Sequence, residues 1–208
     1  MDSNITIQYY GPEHAARYDD ESNVTLGSRE WHAQCLRDVL AFLEPTPRRF
    51  LELGCGTGYF TSLIAETLPN STGVAIDGSE AMLAKARTAL SPFSDRLELN
   101  ARMFSDVPWR SLGEFDMVFS AFSIHHLEDP AKKSLYHEIS SSLLPEGCFI
   151  LFDSFRPPSG KADELLERLT CLDILRRHKH RTGKDVQLDK VIETDRRKKL
   201  EQGDKESS

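Results

Sequence analysis

The chain has no apolar run of about 18 residues, which argues against a transmembrane helix. Its first residues, MDSNITIQYY, lack the basic-then-apolar pattern of a secretory signal. Cysteine is scarce: Cys35, Cys55, Cys148 and Cys171 lie far apart, with no CxxC and no Cys/His ligand spacing. That pattern supports neither a disulfide framework nor a metal site, and predicts reduced, packed thiols. There is no internal repeat, and only the end, EQGDKESS, approaches low complexity and reads as disordered. Together these absences predict a cytoplasmic protein with no membrane partner and no bound metal.

What remains is an ordinary globular composition. Of 208 residues, 39% are hydrophobic and 28% charged, enough for one domain with a sizeable core. The net charge of −7 is unevenly spread: residues 1–159 hold 13 basic and 22 acidic side chains, residues 160–208 hold 13 and 11. The body is therefore too acidic for general nucleic-acid binding. The stretch Arg176–Arg181 is the better place for a polyanion, but no aromatic residues interleave there to stack bases.

Strand and helix patterns alternate along the middle of the chain. A helix capped by Ser28 is expected through Trp31, Cys35, Leu36, Val39, Leu40 and Leu43, ended by Pro45 and Pro47. Strands follow at Arg49–Leu53, Thr72–Ile76, Leu97–Met103, Phe115–Ser120 and Cys148–Asp153, with helices at Gly58–Leu68, Ser79–Leu90 and Pro130–Leu144 between them. Such alternation predicts an α/β, doubly wound, Rossmann-like sheet, mostly parallel, with helices on both faces. Beyond Phe155 the pattern turns helical, at Ala162–Arg177 and more weakly at Val186–Leu200. The expected organisation is an N-terminal cap segment and helix (1–44), a core (45–155), a helical extension (156–201) and a tail (202–208).

The most informative stretch is Leu51-Glu52-Leu53-Gly54-Cys55-Gly56-Thr57-Gly58, placed between a strand and a helix. Glycines let the backbone turn sharply and approach a ligand closely. A dinucleotide fingerprint would need glycine where Tyr59 stands, and Glu52 would repel a pyrophosphate. The same carboxylate suits an amino group or a sulfonium. Asp77 follows the second strand, 19 residues after Gly58, where an acidic side chain accepts hydrogen bonds from ribose hydroxyls. Loop and Asp77 together describe a nucleoside site with a cationic, phosphate-free extension, as in S-adenosylmethionine (SAM).

The segments LELGCGTGYF, GVAIDGSEAML, FDMVFSAFSIHHLED and LLPEGCFILFD resemble the successive motifs of class I SAM-dependent methyltransferases, most of all the small-molecule and tRNA-modifying branch. The resemblance covers about Phe50–Asp153, half the chain. It implies that Glu52 and Gly54 sit by the methionine part of SAM, that Gly56 and Gly58 shape the loop, and that Asp77 binds the ribose. Gly78, Ser79 and Met82 would then flank ribose and adenine, and Ser120 and Ala121 would border the sulfonium.

Two departures stand out. The family often holds the adenine amino group with an acidic residue after the third strand, where this chain has Arg102-Met103-Phe104; Met103 and Phe104 would instead sandwich the adenine. The family's terminal β-hairpin also has no counterpart in the 55 residues after Asp153, which read as helical. An uncovered sheet edge is therefore expected, to be covered by the C-terminal helices, a second copy or a partner chain.

Methyl transfer needs a general base only if the acceptor loses a proton. His125 and His126 follow the fourth strand and are the candidate catalytic residues, against a framing or packing role. Asp153 either faces the acceptor or anchors a loop. Tyr9, Tyr10 and Tyr18 either form a lid or pack an N-terminal cap. Three functional readings remain: transfer to a small molecule, transfer to a tRNA base, and a non-catalytic SAM-binding or scaffolding relative; a dinucleotide oxidoreductase is the distant fourth.

Overall fold

The computed structural model describes residues 11–13, 15–16, 18–19, 29–153, 160–183 and 185–194. Five parallel strands, β1 (Arg49–Leu53), β2 (Thr72–Asp77), β3 (Leu97–Ala101), β4 (Phe115–Ala121) and β5 (Leu143–Phe152), form one sheet in the order β3-β2-β1-β4-β5. The expected doubly wound fold is thus present, with every pairing parallel. The chain reverses its direction of travel between β1 and β4, and ligands bind beyond the strand ends at such a point.

Strand alternation sorts side chains to two faces. Phe50, Met117 and Phe119 pack against α1 (Arg29–Phe42) and α2 (Tyr59–Thr67), and Ala75 packs against α3 (Glu80–Ala89) on the same face. Leu51, Leu53, Ile76 and Val118 face the other way, toward Ile124 and toward Leu135 and Ile139 of α5 (Asp129–Ser142). A single turn, α4 (Trp109–Leu112), precedes β4. The Ser79 hydroxyl accepts from the Met82 N–H and caps α3 as expected.

The buried stripe of α1 is Arg29, Ala33, Leu36 and Leu40. The expected face through Trp31 and Val39 is therefore corrected, since Trp31 is 64% exposed. Small Ala33 brings the helix close to the sheet, and Arg29 is held by partners described below. Ser28, its expected cap, lies outside the described residues. A second correction concerns β5, which opens at Leu143 opposite Phe115 rather than at Cys148. The residue before a proline is driven out of the helical region, so Pro145 ends α5 before Leu144. The register then shifts between Phe115 and Met117.

β5 pairs only with β4 among the described residues, and all ten of its residues keep some exposure, whereas β4 is almost wholly buried. The last long helix, α6 (Gly160–Thr182), leaves Leu165 and Leu169 exposed and buries Cys171. No strand follows β5 among the described residues, and none of their helices is long and apolar enough to cross a membrane. The expected helix at Val186–Leu200 is helical at 188–194, and its remainder and the tail lie outside the described residues.

Candidate cofactor site

The crevice at the switch point is built on the glycine loop. Gly54, Gly56 and Gly58 all take left-handed backbone angles, with φ of 75°, 55° and 84°, which L side chains tolerate poorly. The N–H groups of Gly54 and Cys55 donate to the Ile76 carbonyl at 2.8 and 3.0 Å, tying the loop to β2. A Cβ at Gly54 would overlap both Oγ and Cβ of Ser123 and lie 3.4 Å from the Phe104 ring. The turn after β4 therefore abuts the loop directly. Gly54→Ala should lower stability by about 2–5 kcal/mol through backbone strain and overlap, as read by urea denaturation. Ser123→Gly should recover the steric part in the double variant, whereas Ser123→Ala should not.

Two carboxylates and a thiol lie beneath the loop. Asp77, 9% exposed, ends β2 and accepts the Gly56 N–H on Oδ2 and the Ser79 N–H on Oδ1, both at 2.8 Å. Each oxygen retains a lone pair for a further donor. Burial raises its pKa, against the opposing pull of those two N–H groups. Glu52 is 1% exposed and accepts from Thr61 Oγ1 at 2.5 Å. Burial pushes its carboxyl up to about 8, the Thr61 bond opposes this and the charge of Asp77 adds to it. Burial, then the charges of Glu52 and Asp77, also raise the Cys55 thiol, which stays protonated and inert. Burial is the largest cause of all three shifts, so a cation brought beside Glu52 and Asp77 would lower them again.

The other expected residues have varied placements. Gly78 lies between Asp77 and the Ser79 cap, and Met82 is buried on α3. The Arg102 N–H donates to the Asp77 carbonyl and aims the following turn, where Met103 and Phe104 are half-buried. Phe104 reaches Gly54, as noted. Ser120 is fully buried, and its hydroxyl donates to the Leu53 carbonyl at 2.8 Å. It therefore fastens β4 to β1. His125 and His126 lie in a short turn after β4, with ring centroids 4.1 Å apart. His125 is paired with Asp153.

Sequence reasoning missed a clamp over the loop. Asp19 accepts from Thr57 Oγ1 at 2.7 Å and Arg29 Nη1 at 3.0 Å, and Lys85 Nζ lies 3.6 Å away. Burial raises the Asp19 pKa, but the bonds from Thr57 and Arg29 outweigh it and the net shift is downward. The Arg29 guanidinium stacks over Tyr18 and Tyr59 at 5.3 and 4.8 Å. This seats the Tyr18 ring over Gly56. Tyr9 and Tyr10 lie outside the described residues. The only signal in the sequence was the tyrosines themselves, because Asp19 and Thr57 are 38 residues apart.

Comparison with known proteins gives this geometry a family. Residues 50–147 match the family model described as a methyltransferase domain. Over these residues, just under half of the chain, the sequence is similar to the methyltransferase-domain family. The malonyl-[acyl-carrier protein] O-methyltransferase of Legionella pneumophila is 30% identical over 163 residues, covering 77% of this chain and 54% of that protein. A trans-aconitate 2-methyltransferase from Yersinia pestis is 30% identical over 140 residues, covering 64% and 51%. The chain thus spans about half the length of these curated relatives. An amino pentose methyltransferase from Micromonospora echinaspora, solved with SAM bound, shares the fold with a TM-score of 0.56 and 24% identity, over 67% of this chain and 57% of that one. The glycine loop, Glu52, Asp77 and the turn after β4 all fall inside the matched methyltransferase domain, whereas Asp19, Arg29 and Asp153 lie outside it.

Proposed function

We propose that the protein is a SAM-dependent methyltransferase acting on a small-molecule acceptor in the cytoplasm. The observation that carries this reading is the buried group of Glu52, Cys55 and Asp77 beneath a left-handed glycine loop. A pyrophosphate would meet two carboxylates there, whereas a ligand with an ammonium and a sulfonium supplies the missing charge. The names of the trans-aconitate and amino pentose methyltransferases favour the same acceptor class.

When bound, SAM supplies a methyl group already activated by its sulfonium. In this reading Glu52 and the Gly54 loop hold the methionine end, and Asp77 keeps a lone pair on each oxygen for the ribose hydroxyls. Gly78 and Met82 flank the nucleoside, and Met103 and Phe104 take the adenine. Tyr18, seated over Gly56, excludes water, and the chain's remaining task is to align the acceptor. The outer edge of β5, unpaired among the described residues, is proposed to be covered by a second copy or a partner chain, a point read from the mass in solution by light scattering.

The test is transfer of labelled methyl from SAM to a panel of small phenols, alcohols, amines and carboxylates, with bulk tRNA as a parallel arm. Label entering one of the small molecules is the expected result. Label entering tRNA alone would move the acceptor to RNA, and SAM binding without transfer to either would favour a non-catalytic role.

A further inference from the structure

The turn after β4 is unusually constrained for a loop. Phe122 has φ of 51°, a left-handed conformation that is uncommon for a bulky residue and costs energy wherever it occurs. Its N–H donates to the Phe152 carbonyl at 2.7 Å, and its ring meets His32 edge-on at 5.0 Å. The consequence is that the chain leaves the sheet sharply and enters the turn Ile124–His126 with Ile124 fully buried. Ser123 is pressed against Gly54, so the turn is tied to the cofactor loop.

Within that turn, His125 is held at two points by one residue. Asp153, just past the end of β5, accepts the His125 backbone N–H on Oδ2 at 3.0 Å, and its Oδ1 lies 2.5 Å from His125 Nδ1. Asp153 is 4% exposed at its side chain, whereas the His125 ring keeps 22%. A carboxylate only accepts, so a neutral imidazole carries its proton on Nδ1 and leaves the lone pair on Nε2. Holding both the backbone and the ring fixes the orientation as well as the tautomer. The same buried charge stabilises the imidazolium once Nε2 has taken a proton. The His126 ring lies tilted by 54° against that of His125 at 4.1 Å between centroids, and the Tyr136 hydroxyl of α5 is pushed up by partial burial and by the charge of Asp153.

We propose that His125 is the general base of the transfer, with Asp153 as its positioning residue, and that the acceptor is therefore a hydroxyl that must lose its proton as it is methylated. This rests on the methyltransferase reading above. The acceptor oxygen's lone pair forms the bond to the methyl carbon while the carbon–sulfur bond breaks with its pair going to sulfur. The hydroxyl proton passes to His125 Nε2, and from the partly exposed ring to water. An acceptor already ionised, such as a carboxylate, would need no such dyad.

The test has two parts. Nitrogen-15 NMR of the imidazole in the unliganded protein, with His125→Asn to assign its signals, should find His125 protonated on Nδ1 when neutral, and Asp153→Asn should shift that tautomer. Neutral His125 protonated on Nε2 would overturn the proposal. Kinetics then use phenol and carboxylate acceptors with His125→Asn, whose amide keeps a hydrogen bond to Asp153 but offers no base. SAM affinity and acceptor KM should stay within about twofold, while kcat on the phenol falls about 100- to 10,000-fold. Turnover confined to carboxylates, or a variant that keeps wild-type kcat, would also overturn it. Failure of the wild-type chain to bind SAM would instead sink the methyltransferase reading, and this proposal with it.

Discussion

Asp77→Ala should weaken SAM binding at least about 100-fold, or about 2.7 kcal/mol, and should also destabilise the unliganded protein. Both effects come from the same two oxygens. The carboxylate organises the loop by accepting the Gly56 and Ser79 N–H groups, and in the proposed site it also accepts the ribose hydroxyls. Removing it strands two N–H groups near a buried position, at about 1–3 kcal/mol each. Asp77→Asn separates the two roles. Its one carbonyl oxygen still accepts from a loop N–H, while its amide presents a donor where the site offered a second acceptor. Asparagine should therefore recover part of the stability, read by urea denaturation, and little of the affinity, read by calorimetry. Equal losses of both by the two variants would mean that Asp77 contacts no ligand and only shapes the loop.

The second large effect is a proton. With its pKa at about 8, Glu52 is mostly protonated at pH 7 in the free protein. A cation settling beside it lowers that pKa, so SAM binding at pH 7 should release up to about one proton from this carboxyl. Affinity should accordingly rise by up to about tenfold per pH unit between pH 6 and pH 8, and flatten above. The ligand's own amino group titrates as well, so the readout is the difference between wild type and Glu52→Gln. Calorimetry in two buffers of different ionisation enthalpy counts the protons, and the glutamine variant should release fewer and show the shallower slope. The same residue sets a stability trend of defined sign. Its folded pKa lies above the unfolded value of about 4.5, so the folded state holds the extra proton and this group's contribution falls as pH rises from about 4.5 to about 8. Glu52→Gln should therefore gain on wild type across that window, by an amount on the order of a few kcal/mol.

The parts of this molecule that were readable from sequence are those governed by local chemistry. Glycine–helix punctuation and strand alternation located all five strands, the Ser79 cap and the loop, because each depends on residues a few positions apart. The second-strand acid was legible for the same reason. The inward face of α1 was not, because Trp31 is hydrophobic yet exposed, and the positions that turn inward are a small alanine and an arginine stabilised by distant partners. The start of β5 was hidden by the helix-like Leu143, whose role is set by pairing with Phe115. The family resemblance placed Ser120 beside the sulfonium, and no local pattern shows that its hydroxyl engages the Leu53 carbonyl across the sheet. The Asp19 clamp and the His125–Asp153 pair join residues 38 and 28 positions apart, and no local pattern signals either. His125 and Asp153 were each visible as candidates beyond a strand end; that the one pairs with the other became visible only in the fold.

The central claim, that the acidic pocket under the glycine loop is built for a sulfonium nucleoside, is tested most directly by titration calorimetry of the wild-type chain with SAM and, separately, with NADH. The account predicts SAM binding with a Kd on the order of micromolar, about −8 kcal/mol, and no measurable heat with NADH. Binding of NADH in preference to SAM would contradict it.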